Sequence, residues 1–225
     1  MATPYSLVTL DVTDSTQDEA RRLFEDHPVL VVAGSQRQGR GRSGRPWVNA
    51  PRALAASLRI DSDWPTGRVS LVPLLAGVAA ARAVPVDLKW PNDLMTAGGK
   101  VGGILSEADG STVTVGMGMN LWWPDPPAGM TALYANDPGG DEGVAIANRW
   151  AVHLIDLIED GPGEWPRQEY AERCLTIGEE ITWTPDGRGV AVGVDEEGGL
   201  VVSLGSAGRV VIRSGEVSHV RNVGG

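Results

Sequence analysis

The segment Gly39-Arg40-Gly41-Arg42-Ser43-Gly44-Arg45-Pro46-Trp47 constrains this chain most. It follows a continuously apolar run at 29–33 and precedes an alternating one at 54–60, so a cationic, irregular stretch joins two expected strands. Glycines let the backbone take positive φ and bring N–H groups close to a ligand. Each arginine adds a planar fork of donors that fits phosphate or carboxylate. The pattern points to a loop that wraps an anion.

Three plainer readings compete. Gly39, Gly41 and Gly44 fit the dinucleotide-binding G-x-G-x-x-G, but that motif must open a helix, and here Pro46 and Pro51 follow with no helical period. A nucleic-acid patch of Arg37, Arg40, Arg42, Arg45 and Arg52 is opposed by the formal net charge of -10, because non-specific affinity rests on neutralising many phosphates. A solvated surface loop without a ligand is the third, and the remaining sequence has to decide.

With 225 residues and 42% hydrophobic content, the chain can bury a sizeable core and form one domain plus a smaller appendage. Cys174 stands alone, which excludes an internal disulfide and reads as a small packed residue. His27, His153 and His219 fall in different elements, so the chemistry is expected to rest on lysine, arginine and carboxylates. Residues 1–10 carry no basic segment followed by an apolar core, and no run approaches the ~20 apolar residues of a membrane span. A soluble, cytoplasmic protein without a membrane partner is the expectation.

Residues 5–10 read as a strand. A helix follows, with Thr16 and Glu19 spaced as a capping box, and ends near His27-Pro28. A largely buried helix is predicted at 71–84, with Pro73 in its first turn. Strands at 86–90, 101–107 and 113–119 are separated by turn signals at Pro91-Asn92-Asp93, Ala97-Gly98-Gly99 and Asp109-Gly110. An irregular Pro- and Gly-rich loop at 122–140 precedes helices at 144–158 and 165–173. This is an α+β pattern with a mixed, mostly antiparallel sheet flanked by helices. From 176 onward, short runs at 180–184, 190–194, 200–204 and 209–213 alternate with turns, the signature of a small β-barrel. Two domains are therefore predicted, 1–175 and 176–225.

Lys89-Trp90-Pro91-Asn92-Asp93 and Lys100-Val101-Gly102-Gly103-Ile104-Leu105 form a second constellation. Both lysines flank a predicted hairpin, the common fate of solubilising lysines, yet both can also face one pocket with Asp93 beside them.

With these motifs in hand, the chain resembles the biotin protein ligases. Asp14-Ser15-Thr16 is similar to that family's Asp-Ser-Thr-Asn, and Gln36 followed by Gly39 to Gly44 and Trp47 to its Gln-x-x-Gly-Arg-Gly-Arg-x-Gly loop. Lys89 to Asp93 and Lys100 to Leu105 look like its Lys-Trp-Pro-Asn-Asp and Lys-x-x-Gly-Ile-Leu. Gly116-Met117-Gly118-Met119-Asn120 looks like the Gly-x-Gly-x-Asn that follows. The motifs occur in family order over most of the chain.

The resemblance implies the class II synthetase-like fold of biotin–lipoyl ligases, with a C-terminal SH3-like barrel. It implies the activity of a biotin-[acetyl-CoA-carboxylase] ligase: biotin and ATP give biotinyl-5'-AMP, and a lysine of a biotin carboxyl carrier domain then takes the biotinyl group. Two anions meet in the first step, so cations that spread their charge suit it. By the same resemblance Lys100, Arg42, Asp93 and Lys89 are the catalytic candidates. Ser15, Thr16, Gln36, Arg40, Arg42, Lys100 and Gly103 are expected at biotin. Gly39, Arg40, Gly41, Arg42, Trp47, Lys89, Asn92 and Asn120 are expected at ATP or the adenylate. Asp93 is a candidate Mg²⁺ ligand or a base toward the acceptor lysine.

Gln17 replaces the family's Asn and is left out of these sets, and Ser35 and Arg37 make the loop entrance more basic. Too few residues precede Asp14 for a helix-turn-helix, so no DNA partner is expected; either a monomer or a homodimer suits the family. Two other functions remain open: a lipoate or octanoate ligase of the same superfamily, and a biotin-binding protein without catalysis.

Overall fold

The computed structural model describes residues 4–62, 64–215 and 217–220. The expectations for the far ends of the chain, 1–3 and 221–225, lie outside them. Its centre is a seven-stranded sheet in the order β1-β2-β3-β7-β6-β5-β4. The strands are β1 (Ser6–Thr13), β2 (Val29–Gln36), β3 (Arg52–Asp61), β4 (Asp87–Lys89), β5 (Asp93–Thr96), β6 (Gly99–Asp109) and β7 (Thr112–Trp122). Only β1 and β2 run parallel; their connection is α1 (Thr16–Leu23), and every other neighbouring pair is antiparallel.

Helices cover both faces, which is why β2 opens as an unbroken apolar run. Val29 and Val31 point to α1 with Ala20, whereas Leu30 and Val32 join the main core. That core lies between the sheet and the pair α2 (Val72–Ala83) and α3 (Asp141–Glu159). Helix α2 is apolar around most of its circumference and nearly all of it is buried, as such helices require. Trp150 of α3 is fully buried and donates its indole N–H to the Ala76 carbonyl at 3.1 Å.

Several sequence expectations are refined. Ser15, not Thr16, caps α1: its side chain accepts from the Asp18 N–H, which leaves the Thr16 hydroxyl free to face the sheet. The helix also stops at Leu23, short of His27-Pro28. A strand, β5, emerges where only a turn and a linker were read, because the Pro91-Asn92 turn is tight enough to pair Lys89 with Asp93. The 122–140 segment is irregular as expected but anchored, with bridges from Lys100 to Met130 and from Trp122 to Tyr134.

After the short helix α4 (Arg167–Arg173) comes a second sheet, all antiparallel, in the order β11-β10-β9-β8-β12. Its strands are β8 (Glu180–Trp183), β9 (Gly187–Val194), β10 (Leu200–Ser203), β11 (Arg209–Ile212) and β12 (Val217–His219). Among the described residues the edge strands β11 and β12 do not pair, so the sheet is open rather than a closed barrel. It packs on the main body. Ile181, Ala191, Leu200 and Val202 belong to the same apolar core, and the indoles of Trp90 and Trp165 donate to the carbonyls of Gly198 and Glu196 in the β9–β10 turn. Among the described residues no helix is long and apolar enough to cross a membrane.

Candidate active site

Strand register builds a trough on the α1 face of the sheet. Ala55, Gly118 and Gly103 stand opposite one another across β3, β7 and β6, with Asp93 of β5 next in the row. Ser57, Gly116 and Leu105 form the adjacent row. On the other face the same strands carry Leu54, Leu58, Ile104, Met117 and Met119 into the core. Small residues therefore alternate with large ones, and the missing side chains leave space. A Cβ on Gly118 would sit 2.8 Å from the Trp47 ring, and one on Gly116 would sit 2.7 Å from the Gln17 amide. The trough, roofed by α1 and the arginine loop, is a cavity of about 260 Å³. That is close to the lower end of the ~300–1,000 Å³ of sites that hold drug-sized ligands.

One end is polar and neutral. The Gln36 side-chain carbonyl accepts from the Thr16 backbone N–H at 2.8 Å and lies 3.1 Å from the Thr16 hydroxyl, which also meets the Ser57 hydroxyl at 2.8 Å. Ser15 and Gln17 complete this end. Gln17 donates its amide to the Leu105 carbonyl at 3.0 Å and accepts from Arg21. Such a cluster matches a ligand edge that carries both donors and acceptors.

The other end is charged. The Lys100 ammonium lies 2.5 Å from Asp93, the one carboxylate lining the cavity among the described residues. Arg42 donates to the Asn92 side-chain oxygen at 3.1 Å and to the Gly215 carbonyl at 3.3 Å, so its partners among the described residues are neutral. Asn92 is itself fixed by donation to the Ile104 carbonyl at 2.8 Å. Arg40 is bound by both guanidinium nitrogens to Asp18, at 2.8 and 2.7 Å. That pairing holds the Asp18 carboxyl below and the Arg40 guanidinium above their ordinary ranges, the mutual hydrogen bonds being the main cause for each.

The loop itself is folded differently from what its glycines imply. Of Gly39, Gly41 and Gly44, only Gly44 takes a positive φ, at 71°, and Ser43 beside it sits at 57°. Gly39 is needed for space instead: a Cβ there would come within 3.0 Å of both Gln36 and Trp47. The tight turn is closed by the Gly41 N–H donating to the Arg45 carbonyl at 2.7 Å. The indole nitrogen of Trp47 is buried without a partner among the described residues.

Of the residues singled out from sequence, Ser15, Thr16, Gln36, Arg40, Gly41, Arg42, Trp47, Asn92, Asp93, Lys100 and Gly103 line this one cavity. Gly39, Lys89 and Asn120 do not. Lys89 lies near His219, where its charge reinforces the lowering that burial imposes on the imidazole. Asn120 is fully buried and donates to the Thr131 carbonyl at 3.0 Å, which ties down the 122–140 segment. Sequence reasoning missed Gln17, Ser57, Gly116, Gly118 and Arg45 at the cavity. The small residues at 55, 57, 116 and 118, on the strand faces opposite the apolar ones, were the available signal.

No group of three or more His, Cys, Asp or Glu able to hold a metal occurs among the described residues. Asp93 alone, already paired with Lys100, does not make a protein-built Mg²⁺ site. A magnesium ion bound together with phosphate groups needs only one or two protein carboxylates.

Comparison with known proteins agrees with this geometry. Residues 9–121 match the sequence model of the Biotin/lipoate A/B protein ligase family. A Paracoccus denitrificans biotin-[acetyl-CoA-carboxylase] ligase is 32% identical, with 91% of this chain and 97% of the relative covered. The enzyme of the same name from Mycobacterium tuberculosis is 35% identical over 86% of this chain and 79% of its own length. Among solved structures, the biotin protein ligase from Aquifex aeolicus in complex with biotin and ATP superposes with a TM-score of 0.79 at 29% identity, covering 95% of this chain and 97% of the other. A cavity with a neutral hydrogen-bonding end and a cationic end, on a sheet of this topology and in a sequence so matched, places the chain in the biotin/lipoate A/B protein ligase family, among its biotin ligases.

Proposed function

We propose that the protein is an ATP-dependent biotin protein ligase, which forms biotinyl-5'-AMP and transfers the biotinyl group to a carrier-protein lysine. The observation that carries this reading is the single cavity in which a neutral Ser15–Thr16–Gln36 cluster faces Lys100, Asn92 and Arg42. The neutral end suits the ureido ring, whose N–H and C=O groups need partners, while Gly103, beside Lys100, leaves room for the ligand at the charged end. Lys100 and Arg42 suit the carboxylate and α-phosphate, where negative charge gathers as oxygen attacks phosphorus and pyrophosphate leaves. Gly41, Trp47 and Asn92 border the adenylate.

The loop has a second task. An acyl-adenylate hydrolyses readily, so a closed loop keeps water from it until the amine arrives. In the transfer step the lysine nitrogen bonds to the acyl carbon, the bond to AMP breaks, and the nitrogen gives up a proton. Asp93, the one carboxylate lining the cavity among the described residues, would help in that proton's removal or meet a Mg²⁺ that enters with ATP.

The finer assignments belong to the same reading. The chain divides at residue 175 into a catalytic domain and a small domain of SH3-like descent, works in the cytoplasm, and takes as its partner the biotin carboxyl carrier domain of a carboxylase.

The test is the intact mass of a recombinant carrier domain after incubation with this protein, ATP, Mg²⁺ and either biotin or lipoate. An ATP-dependent gain of one biotinyl group is expected. A gain with lipoate alone would move the protein to the sister activity, and none with either would favour a non-catalytic binder.

A further inference from the structure

Arg40 sits in the cationic loop, yet its charge is spent elsewhere. Both of its terminal nitrogens bind Asp18 on the first turn of α1, at 2.8 and 2.7 Å. Asp18 is held in turn by Arg21 at 2.8 Å, and Arg21 also reaches Glu107 of β6. The carboxylate that grips Arg40 is thereby fixed to the sheet through a second cation.

Position along the loop gives this contact its leverage. Arg40 bridges to Pro46, and the Trp47 N–H donates to the Gly39 carbonyl at 2.8 Å, so Arg40 stands at the neck of the loop while Arg42 lies beyond it. Fixing the neck to α1 sets where the tip lands. Arg42 at the tip is held by the neutral oxygens of Asn92 and Gly215, contacts that an arriving anion can replace. The Asp18 pair is bidentate and charge-assisted, the stronger kind of contact.

We propose that Asp18 and Arg40 form one positioning unit, a latch of α1 on the neck of the arginine loop, that holds the loop over the acyl-adenylate while Arg40 itself makes no charge contact with the ligand. The adenylate half of this proposal rests on the biotin-ligase reading above; the latch half is a property of the ligand-free protein. Arg40 is thus removed from the set of groups that bind biotin or the nucleotide, and Asp18 enters the machinery as a residue that acts through another.

The two roles of Arg40 predict opposite behaviour. With a latch, Asp18→Asn and Arg40→Ala each release free biotinyl-AMP faster by about 5-fold, the upper range for a partly exposed ion pair. The double variant is then no worse than either single one, because one interaction has been removed. Asp18→Glu restores most of the retention. If Arg40 instead binds the ligand, Asp18→Asn frees it and retention stays the same or improves while Arg40→Ala leaks; that pattern, or multiplicative effects in the double variant, overturns the proposal.

Hydrogen exchange of residues 39–47 in the ligand-free protein supplies a readout independent of activity. Asp18→Asn should speed exchange at the loop neck and leave β6 and β7 unchanged. Unaltered exchange at the neck sinks the latch even if the enzyme is a biotin ligase; faster exchange in a protein that makes no biotinyl-AMP keeps the latch and refutes the biotin reading.

Discussion

Lys100→Met slows formation of biotinyl-adenylate by on the order of 10²–10³-fold, the loss seen when one preorganised donor to developing negative charge is removed. The ammonium is the only lysine charge lining the cavity among the described residues, and it stands at the trough where carboxylate and α-phosphate would meet. Its loss also strips Asp93 of its partner 2.5 Å away. The bare carboxylate then adds repulsion toward two incoming anions. Pairing Lys100→Met with Asp93→Asn should therefore recover part of the binding, though not the rate. The measurement is single-turnover formation of biotinyl-AMP; a loss smaller than about ten-fold would assign the charge-spreading role elsewhere.

Arg42→Ala should both slow adenylate formation and let the product escape, with free biotinyl-AMP leaving about 10- to 100-fold faster, as expected for loss of a charged hydrogen bond worth about 1.5–3 kcal/mol. Two consequences add here. The ligand loses a guanidinium whose existing partners, Asn92 and Gly215, are neutral, so that little has to be given up when an anion arrives. The loop also loses its clasp to the β4–β5 turn and to the second sheet, so the cavity opens more often to water. Separating free from carrier-bound biotin after a quench distinguishes the two effects. Unchanged release with slower formation would make Arg42 a charge-spreading residue without a closing role.

The residues at the charged end were legible in the sequence because their chemistry is written in residue type. Lys100, Asn92, Asp93 and the loop arginines stood out by residue type within short motifs, and all of them line the cavity. The floor of the cavity was not legible in the same way. Ser57, Gly116 and Gly118 matter through register, since Ser57 must stand opposite Gly116 and Gly118 between Ala55 and Gly103. The β3–β7 pairings among them join positions about sixty residues apart and are decided by the whole sheet.

Local rules also yielded to tertiary ones. The Ser15-Thr16 pair offers two cap residues, and the sheet selects between them by drawing Thr16 to Gln36 and Ser57. Lys89 and Lys100 flank the same hairpin, but only Lys100 lines the trough, while Lys89 lies near His219. Strand β5 is four residues long and begins inside a turn signal, so neither length nor period announces it. Gln17, one methylene longer than the family's Asn, does line the cavity and braces Leu105 of β6, a use visible only once α1 is docked on the sheet.

In the proposed reaction this cavity joins biotin to AMP. The most direct test is exchange of labelled pyrophosphate into ATP by the purified protein, with biotin, with lipoate, and with neither, in the absence of any carrier. Exchange that requires biotin and disappears in Lys100→Met is the predicted result. Exchange that is indifferent to biotin, or that survives the loss of Lys100, would contradict it.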